Sequence, residues 1–594
     1  MSKRTCNNIL SFFLVTVALL LLTSSVHAHG LPGYFGEPMF DNREANSECL
    51  PITQDQAILL AKAYTPVSTT FDMPSVSFQG KVVDADTGKP IGFRLHIEDK
   101  DGNYWPPKGH LAIEQPQKND NGITSEPDVI NRGKIWACIE DGEFEIDLPA
   151  QDGYKVELVR GLEYNRPVLS LDLKDSQGEV EGAFLLKRGI NMRKLGWMSA
   201  DTHVHNLMPE AAWHQMGIEG LDYVNIMFVG GGHVLLKNGY VTGKPSIDRQ
   251  ERIVFVSQEL RDAHQGHMTL IGMSEPVKPI RGRYGQEHRN IKYIPHGPLN
   301  WEVYDYMHAQ GGMAFHAHYL YWPGYGSAVS AALNKLDGLE WLVPDLEMRE
   351  SKTRQNIEVP GHPLTGAGPM WYYMLNCGAR LPLIGGTDKM SAGRVVGGGI
   401  RTYTRVKRWD HDGFMDGLSR GETFVSNGPM LNLSANGKPI GSEIKFTGKG
   451  PHTVTLDTGY YTEKPIRYFQ IIQNGKVVFE RDVKRNEKRV KVKRDLKFVN
   501  SGWLAVRCGN RESDPNNWEH AYTAAHTSPI YVTVNDQMPA EKASAEYMVA
   551  RLQVTLDWAK DKAIFLNEDV KKRAIESFDK AKRFYESALA RASG

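Results

Sequence analysis

Histidines that could bind a metal ion are concentrated in the middle of the chain. Of its 20 histidines, 11 lie between His203 and His318. His203 and His205 are separated by one residue in the stretch ADTHVH, and alternate residues of a strand point to the same face. Both imidazoles can therefore reach one metal ion. Asp201 lies on the same face, either as a further ligand or as a carboxylate that orients a histidine.

Three further clusters of His, Asp or Glu follow apolar runs. Glu259 ends one such run and is followed by His267, while His318 and Asp388 each come directly after another. Apolar runs of this length are typical of buried strands, so each cluster is expected at the C-terminal end of a strand. Parallel α/β proteins assemble their sites at that rim of the sheet. Although a single His-x-His pair is weak support, the four clusters together predict one metal site.

The region that carries these clusters, residues 191–428, alternates between probable strands and helix-length segments. Its apolar runs Tyr223–Val229, Ile253–Val256 and Leu381–Ile384 are typical of strands buried on both faces of a parallel sheet. We therefore expect an α/β layer or barrel in this region.

All-β regions are predicted on both sides of it. Residues 75–190 and 429–536 alternate apolar and polar side chains between turn sequences, which predicts one small β-sandwich in each. Residues 29–74 are expected to form an extended arm with one short helix. The helical periodicity of residues 537–594 fits a helical hairpin or a single packed helix. The expected fold class is multidomain α/β plus all-β.

The composition narrows the functional classes. The chain has 594 residues, with 70 Lys and Arg against 70 Asp and Glu, and 41% of its residues are hydrophobic. This length and composition predict three or four folded units and exclude a disordered chain. A net charge of zero gives no electrostatic reason to expect nucleic acid or an anionic surface as partner. A small-molecule substrate is the expected partner, and the oligomeric state is left open.

The first 28 residues have the features of a secretory signal. Lys3 and Arg4 precede an uncharged stretch at 9–22, which is followed by small residues at the two positions that a signal peptidase reads. We expect cleavage after Ala28 and export to the periplasm or the medium. An uncleaved anchor is the alternative, but the apolar stretch is too short to span a bilayer.

The cysteines fit an exported protein without identifying a site. Four remain after removal of the signal: Cys49, Cys138, Cys377 and Cys508. None forms a CxxC pair, which argues against a thiolate zinc site or a thioredoxin-type redox site. One or two disulfides and buried free thiols are both compatible with this pattern, and the pairing is open.

Several motifs resemble those of one known family. The order ADTHVH, EL…GH, AHY, GGTD and RGETFVSNGPML is similar to that of the polymerase-and-histidinol-phosphatase (PHP) superfamily, in particular its CehA/McbA branch of exported metallohydrolases. The stretch GKVVDADTGKPI resembles carboxypeptidase-regulatory-like domains, which are usually accessory modules. The resemblance implies a central distorted seven-stranded (β/α) PHP barrel with one to three metal ions at the strand C-termini, flanked by the two sandwiches.

The same resemblance implies a set of ligands. Carried onto matching positions, these are His203, His205, Glu259, His318 and Asp388, with His233 and His267 as less direct matches. The last motif departs from the family, since Asp388-Lys389-Met390 stands where Asp-x-His is usual. A thioether does not replace imidazole for zinc or manganese, so one or two divalent ions are expected. Zinc is favoured, with manganese or iron as alternatives.

These residues suggest a hydrolytic mechanism. A divalent ion with an open position lowers the pKa of bound water to about 7 and polarises the bond that is attacked. Glu259 is expected to bridge two ions, Asp388 to take the proton of the water and His267 to protonate the leaving group. The resemblance implies hydrolysis of a carbonyl ester, amide or carbamate. The alternatives are a PHP-type phosphoesterase and a non-catalytic exported binding protein with a degenerate metal site.

Other residues near the expected rim have open roles. Glu347 is either a base that acts through a metal ligand or a solvated carboxylate. Lys389 and Arg401 are either anion-binding cations or surface residues. His316 is expected to face away from His318 in a regular strand, where it only packs.

Overall fold

The computed structural model describes residues 74–108, 112–114, 135–205, 209–228, 240–262, 265–277, 297–319, 324–341, 367–388, 398–510 and 523–593. The predicted signal, the arm up to residue 73, Cys49, His233, Glu347 and Lys389 lie outside the described residues. Within them the chain is rich in sheet and has seven α-helices.

The first β region consists of two facing sheets. Its strands are β1 (Ser75–Asp84), β2 (Phe93–Glu98), β3 (Ala112–Glu114), β4 (Ile135–Ile139), β5 (Glu143–Pro149), β6 (Tyr154–Val159), β7 (Val168–Leu171) and β8 (Gly178–Leu186). One sheet has the order β5-β1-β8 and the other β3-β4-β2-β6-β7. Alternate residues of β1, such as Val76 and Phe78, are buried together with Phe93 and Leu95 of β2. The period-2 pattern of β1 thus has its expected cause, one buried face, whereas β2 is buried on both faces.

The central region follows a short 3-10 helix at Arg193–Leu195. Its strands are β9 (Trp197–Val204), β10 (Tyr223–Phe228), β11 (Ile247–Arg249), β12 (Arg252–Leu260), β13 (Met268–Ile271), β14 (Met313–His316), β15 (Gly338–Trp341), β16 (Leu383–Gly385), β17 (Arg401–Arg405) and β18 (Thr423–Ser426). Its helices are α1 (Pro209–Glu219), α2 (Asn300–Ala309), α3 (Gly326–Ala332), α4 (Ala367–Asn376) and α5 (His411–Ser419).

These strands form a curled mixed sheet. The order is β16-β15-β14-β13-β12-β10-β9-β17-β18, with β11 paired to β12. Strands β9, β10 and β12 are parallel, as are β14, β15 and β16, but β13 is antiparallel to both of its neighbours. The connection from β12 to β13 is too short for a crossover helix, so this chain segment must return antiparallel. The curl brings β16 back to β17, where the Gly385 N–H donates to Thr402 Oγ1 at 2.7 Å.

The second β region is joined to the central sheet. Its strands are β19 (Met430–Ala435), β20 (Lys438–Pro439), β21 (Glu443–Phe446), β22 (His452–Tyr461), β23 (Tyr468–Gln473), β24 (Lys476–Asp482), β25 (Arg489–Phe498), β26 (Gly502–Gly509), β27 (Ala524–Thr527) and β28 (Ile530–Val534). Strands β20-β19-β22-β25 form one sheet, and the remaining strands continue the central sheet because β27 pairs with β18. The sequence predicts a separate sandwich, whereas one of its two layers is part of a single 16-stranded sheet.

The chain ends in a helical hairpin, one of the two arrangements that the periodicity allowed. Helices α6 (Lys542–Asp561) and α7 (Glu568–Ser593) pack against each other and against the central region. The buried residues of α7, including Ala574, Phe578 and Tyr585, recur every three or four positions and form one apolar stripe. Among the described residues, no helix is both long and apolar enough to cross a membrane.

Two of the cysteines are free thiols within the cores. Cys377 and Cys508 are both fully buried and unpaired. Burial raises the pKa of the Cys377 thiol to about 12 and also raises the pKa of the Cys508 thiol. Both are therefore apolar packing residues at neutral pH.

Candidate metal centre

His203 and His205 lie side by side at the end of β9. Their Nε2 atoms are 2.9 Å apart, and both side chains are almost fully buried. The other ring nitrogen of each is held by an oxygen: His203 Nδ1 lies 2.7 Å from Glu340 Oε2, and His205 Nδ1 lies 2.9 Å from the Met227 carbonyl oxygen. If each Nδ1 carries the hydrogen, both Nε2 lone pairs point into the same space. This is how metal-binding histidines are usually oriented.

Glu259, at the end of β12, lies between two pairs of histidines. Its Oε2 is 3.2 Å from His205 Nε2 and 3.7 Å from His203 Nε2. Its Oε1 is 3.0 Å from His267 Nδ1 and 3.1 Å from His318 Nε2. One carboxylate thus presents a different oxygen to each pair. We call the His203–His205 side the first half site and the His267–His318 side the second half site.

Asp388 completes the first half site. Its Oδ1 lies 3.1 Å from His205 Nε2 and 3.5 Å from His203 Nε2. Asp388 and His318 both have positive φ, at 46° and 29°. A non-glycine residue in this region is strained, and such strain is concentrated at functional sites because the surrounding structure holds the side chain in a required place.

The structure brings together six of the seven residues that the sequence indicated as ligands. His203, His205 and Glu259 form one group whose ligand atoms lie within 4.8 Å of one another, and Glu259, His267 and His318 form a second. All five are buried. Imidazole nitrogens and carboxylate oxygens suit zinc, manganese or iron, so the donor set fits the expected ions. His233, the seventh residue, lies outside the described residues.

Charged side chains in the centre shift the pKa values of Glu259 and His203. Burial opposes ionisation of Glu259, but Arg261 and the neighbouring histidines outweigh it and hold the pKa of this carboxyl well below its ordinary value. Burial likewise opposes the charged form of His203, but Glu340 and Asp388 hold the pKa of that imidazole well above its ordinary value. The buried Glu259 is therefore ionised at neutral pH, as a metal ligand must be.

Asp201 accepts hydrogen bonds from the chain segments that carry Asp388 and His203, and so has the role of a residue that orients ligands. Its Oδ1 accepts the Thr387 N–H at 3.0 Å and the His203 N–H at 3.2 Å, and its Oδ2 accepts the Thr387 hydroxyl at 2.6 Å and the Gly398 N–H at 2.8 Å. These four donors occupy both carboxylate oxygens and hold Thr387 and Gly398, on either side of Asp388 in the sequence, together with the backbone of His203. Of the two roles that the sequence allowed for Asp201, the structure shows the orienting one.

The sequence did not single out Glu340 or Arg261. Glu340 lies on β15, is fully buried, and accepts hydrogen bonds from Thr269 Oγ1 at 2.7 Å and from the His318 N–H at 3.2 Å in addition to holding His203. Arg261 Nε donates to Glu259 Oε2 at 2.5 Å. The sequence does carry a signal for Glu340, since a lone acid in the apolar run Gly338–Trp341 resembles the other clusters; Glu347, the acid with an open role above, comes later in the sequence.

Two residues with open roles are part of the packing. The Arg401 guanidinium is buried and donates to the carbonyl oxygens of Gly398 and Glu219, both at 2.8 Å, so its interpretation as a surface residue or anion-binding cation is wrong. His316 is buried, and its ring packs edge-on against Tyr319 with centroids 5.5 Å apart. It does not belong to either group of ligand atoms.

Comparisons with solved structures give distant likenesses. No protein-family model matches the chain, and no curated protein matches it. A two-domain protein from Bacteroides vulgatus ATCC 8482 that contains a predicted PHP-like metal-dependent phosphoesterase is similar over 57% of this chain and 96% of its own, at 12% identity and a TM-score of 0.27. The lesion-specific endonuclease PfuEndoQ from Pyrococcus furiosus matches 38% of this chain and 56% of its own, at 13% identity and a TM-score of 0.22.

A third solved structure, the 3-chlorocatechol 1,2-dioxygenase of Rhodococcus opacus 1CP, matches 21% of this chain and 63% of its own, at 14% identity and a TM-score of 0.14. At TM-scores this low, none of the three likenesses establishes the fold or the function of this chain. The geometry of the centre has to support the assignment.

Proposed function

We propose that the protein is a metal-dependent hydrolase whose centre holds two divalent ions. The observation that carries this proposal is the placement of Glu259, whose two oxygens each face a separate pair of imidazoles at 3.0–3.7 Å. A structural ion needs one closed set of ligands, and a carboxylate shared between two sets is typical of two-metal hydrolytic centres.

Each side chain of the centre has its own role in the proposed reaction. Bound divalent ions would supply an activated water and polarise the bond under attack. His203, His205 and Asp388 hold the first half site, His267 and His318 hold the second, and Glu259 joins them. Asp388 is positioned at the first half site to accept the proton of the attacking water.

Of the two roles that the sequence suggested for His267, we assign the ligand role and not the acid role. Its Nδ1 points into the cluster, 3.0 Å from Glu259 Oε1 and 3.2 Å from His318 Nε2. Burial lowers the pKa of His267 to about 4, against the opposing effect of Glu259. Its imidazole is therefore neutral at pH 7, the form that binds metal ions and not the form that protonates a leaving group.

For the substrate we propose a carbonyl ester, amide or carbamate, on the basis of the order of motifs along the chain. Arg261 favours a second candidate, a phosphoester. Its guanidinium is buried, and Nη2 lies 3.5 Å from His205 Nε2, next to the space where a substrate would be attacked. Arginine pairs well with carboxylate and phosphate oxygens, so it would contribute more to binding an anionic substrate than a neutral one.

The experiment begins with the metal content of the purified protein, followed by turnover of naphthyl carbamates and esters compared with nitrophenyl phosphate. Two ions per chain and turnover of one panel are expected. Replacing both His203 and His205 with Ala should remove the first ion and the activity together, and activity that survived this change would refute the assignment. Metal binding without turnover on either panel would favour the non-catalytic alternative.

Replacing Arg261 distinguishes the phosphoester from the neutral ester, amide or carbamate as substrate. Arg261→Met should raise KM for nitrophenyl phosphate by about tenfold or more if the phosphoester is the substrate, since charge-assisted pairs of this kind contribute about 1.5–3 kcal/mol. The neutral ester should be affected much less. Metal content is measured on the same samples, because Arg261 also contacts Glu259. Arg408→Met, at an exposed arginine of the central region, is the matched control.

We also propose that the protein is exported and that its signal is cleaved after Ala28. Sequencing the N-terminus of protein recovered from the periplasm or the medium should then begin at His29. Recovery of the uncleaved chain in the membrane fraction would instead support the anchor.

A further inference from the structure

The two half sites are supported unequally. In the first, the ring nitrogens that point away from the centre are held by Glu340 and by the Met227 carbonyl. In the second, His318 Nδ1 is buried and has no hydrogen-bond partner among the described residues. The first half site also has Asp388 as a second carboxylate, whereas in the described part of the chain the ligand group of the second half site contains Glu259 as its carboxylate. The backbone that carries His318 must therefore contribute to the orientation of this ring.

That backbone rests on the C-terminal hairpin. Arg551 of α6 is 3% exposed, and its Nη2 donates to the Gly324 carbonyl oxygen at 3.1 Å. Gly324 lies directly on the backbone before His267: a Cβ built at Gly324, where φ is +52°, would come within 2.4 Å of the Gln265 carbonyl carbon and oxygen. Arg551 therefore holds a segment that can be this close to Gln265 only because residue 324 is glycine.

Further contacts tie the same segment to the hairpin and to the second half site. Gly326 N–H donates to the Gln265 carbonyl at 3.0 Å, and the Ala317 N–H, next to His318, donates to the His267 carbonyl at 3.0 Å. From the hairpin, the Tyr585 hydroxyl of α7 donates to the Ala328 carbonyl of α3 at 2.9 Å. The hairpin thus contacts this segment through two side-chain donors, Arg551 and Tyr585. Backbone hydrogen bonds and close backbone packing then connect the segment to the two histidines and leave little freedom for independent movement.

We propose that Arg551 is a positioning residue through which the C-terminal hairpin sets the geometry of His267 and His318, and so the affinity of the second half site for its metal ion. The inference rests on the proposed two-metal function. It makes the hairpin part of the centre, although none of its residues is a ligand. Without the Arg551 guanidinium, the Gly324 carbonyl loses this hydrogen bond, and the positions of His267 and His318 become less well defined. The first half site keeps its contacts with Glu340 and the Met227 carbonyl.

The test is a metal titration of the full-length protein with Co²⁺, followed by its visible spectrum and by metal analysis. Arg551→Met keeps most of the apolar stem and removes the donors. It should raise the second dissociation constant by about 10- to 100-fold, the usual effect of losing a residue that orients a ligand, and leave the first unchanged. Arg551→Lys should restore part of the affinity. Lys560→Met, at an exposed position of the same helix, is the matched control and should bind both ions as the wild type does.

The outcomes separate this inference from the proposed function. A wild-type protein that binds no Co²⁺ refutes the two-metal function itself. Two ions with unchanged constants in Arg551→Met overturn only the role of Arg551, as does an equal weakening of both half sites, which would mean a general loss of stability. If Arg551→Met does not fold, Tyr585→Phe is titrated in its place. It removes the hydroxyl of α7 that donates to the Ala328 carbonyl, four residues after Gly324, and an unchanged second constant in this variant overturns the inference.

Discussion

Replacing Glu340 with Gln tests the support of the first half site most directly. Glu340 accepts from His203 Nδ1 at 2.7 Å and from Thr269 Oγ1 at 2.7 Å, and it is fully buried. Gln has the same shape but lacks the charge that makes His203 a stronger ligand. Losing such a carboxylate costs metal affinity about 10- to 100-fold, or about 1.4–2.7 kcal/mol.

Protons compete with the metal for His203, so the size of this effect depends on pH. Without metal, Glu340 and Asp388 hold the pKa of His203 well above its ordinary value against the effect of burial. The imidazolium is then favoured at neutral pH and must lose its proton before an ion binds, and this competition fades as the pH rises through that pKa. In Glu340→Gln the pKa of His203 falls and the competition is weaker at every pH. The difference in affinity between wild type and variant should therefore grow from pH 7 to pH 9.

The assay is a competitive metal titration of both proteins at several pH values, with thermal unfolding as a check on folding. Glu443→Gln is the matched control, since Glu443 is a partly buried carboxylate held by Arg380 and Thr533 in the second β region. Equal affinity of wild type and Glu340→Gln at pH 9 would refute the reasoning, as would a wild-type affinity that does not change with pH.

Three further predictions concern the rim, acid stability and the bound ions. A Cβ at Gly386 would lie 2.5 Å from His203 Cβ, so Gly386→Ala should lose metal at the first half site. Gly437 is the control, because a Cβ there would have nothing within 4 Å and Gly437→Ala should keep its metal. Metal analysis compares the two variants. Burial lowers the pKa of His526 to about 3, helped by Arg507 and opposed by the Thr527 carbonyl. As the pH falls, His526 is therefore protonated in the unfolded chain before it is protonated in the folded protein. This favours unfolding, and the free energy of unfolding should fall by about 1.4 kcal/mol per pH unit between about pH 6.5 and pH 3. Unfolding midpoints should show a weaker loss in His526→Gln, and an unchanged pH dependence would contradict this. Chelation should lower the unfolding temperature, because an ion present at 100 times its dissociation constant stabilises the fold by about 2.7 kcal/mol, and the variant with Ala at both His203 and His205 should respond less.

Part of the centre could be inferred from local pattern. The two-residue spacing of His203 and His205 on a strand implies a shared face, and the apolar runs before Glu259, His318 and Asp388 imply strand ends. These are short-range relations, set by the period of the strand and by burial. The alternation in the flanking regions likewise predicts sheets, because strands such as β1 and β5 bury one face.

Other features depend on partners that are distant in sequence. Glu340 is 137 residues from His203, and nothing in its own neighbourhood shows that its carboxylate turns towards that ring. The pairing of β27 with β18 and the burial of Arg401 are of the same kind.

The sequence by itself determined which residue types could form a metal centre and on which strands they lie, because strand period and burial act over a few residues. Only the tertiary structure decided how they are arranged. It determined which oxygen of Glu259 faces which pair of histidines, and it placed Arg551 of the C-terminal hairpin on the segment that packs against the backbone before His267. Those relations follow from the curl of the sheet and from the packing of helices on it, which no local pattern contains.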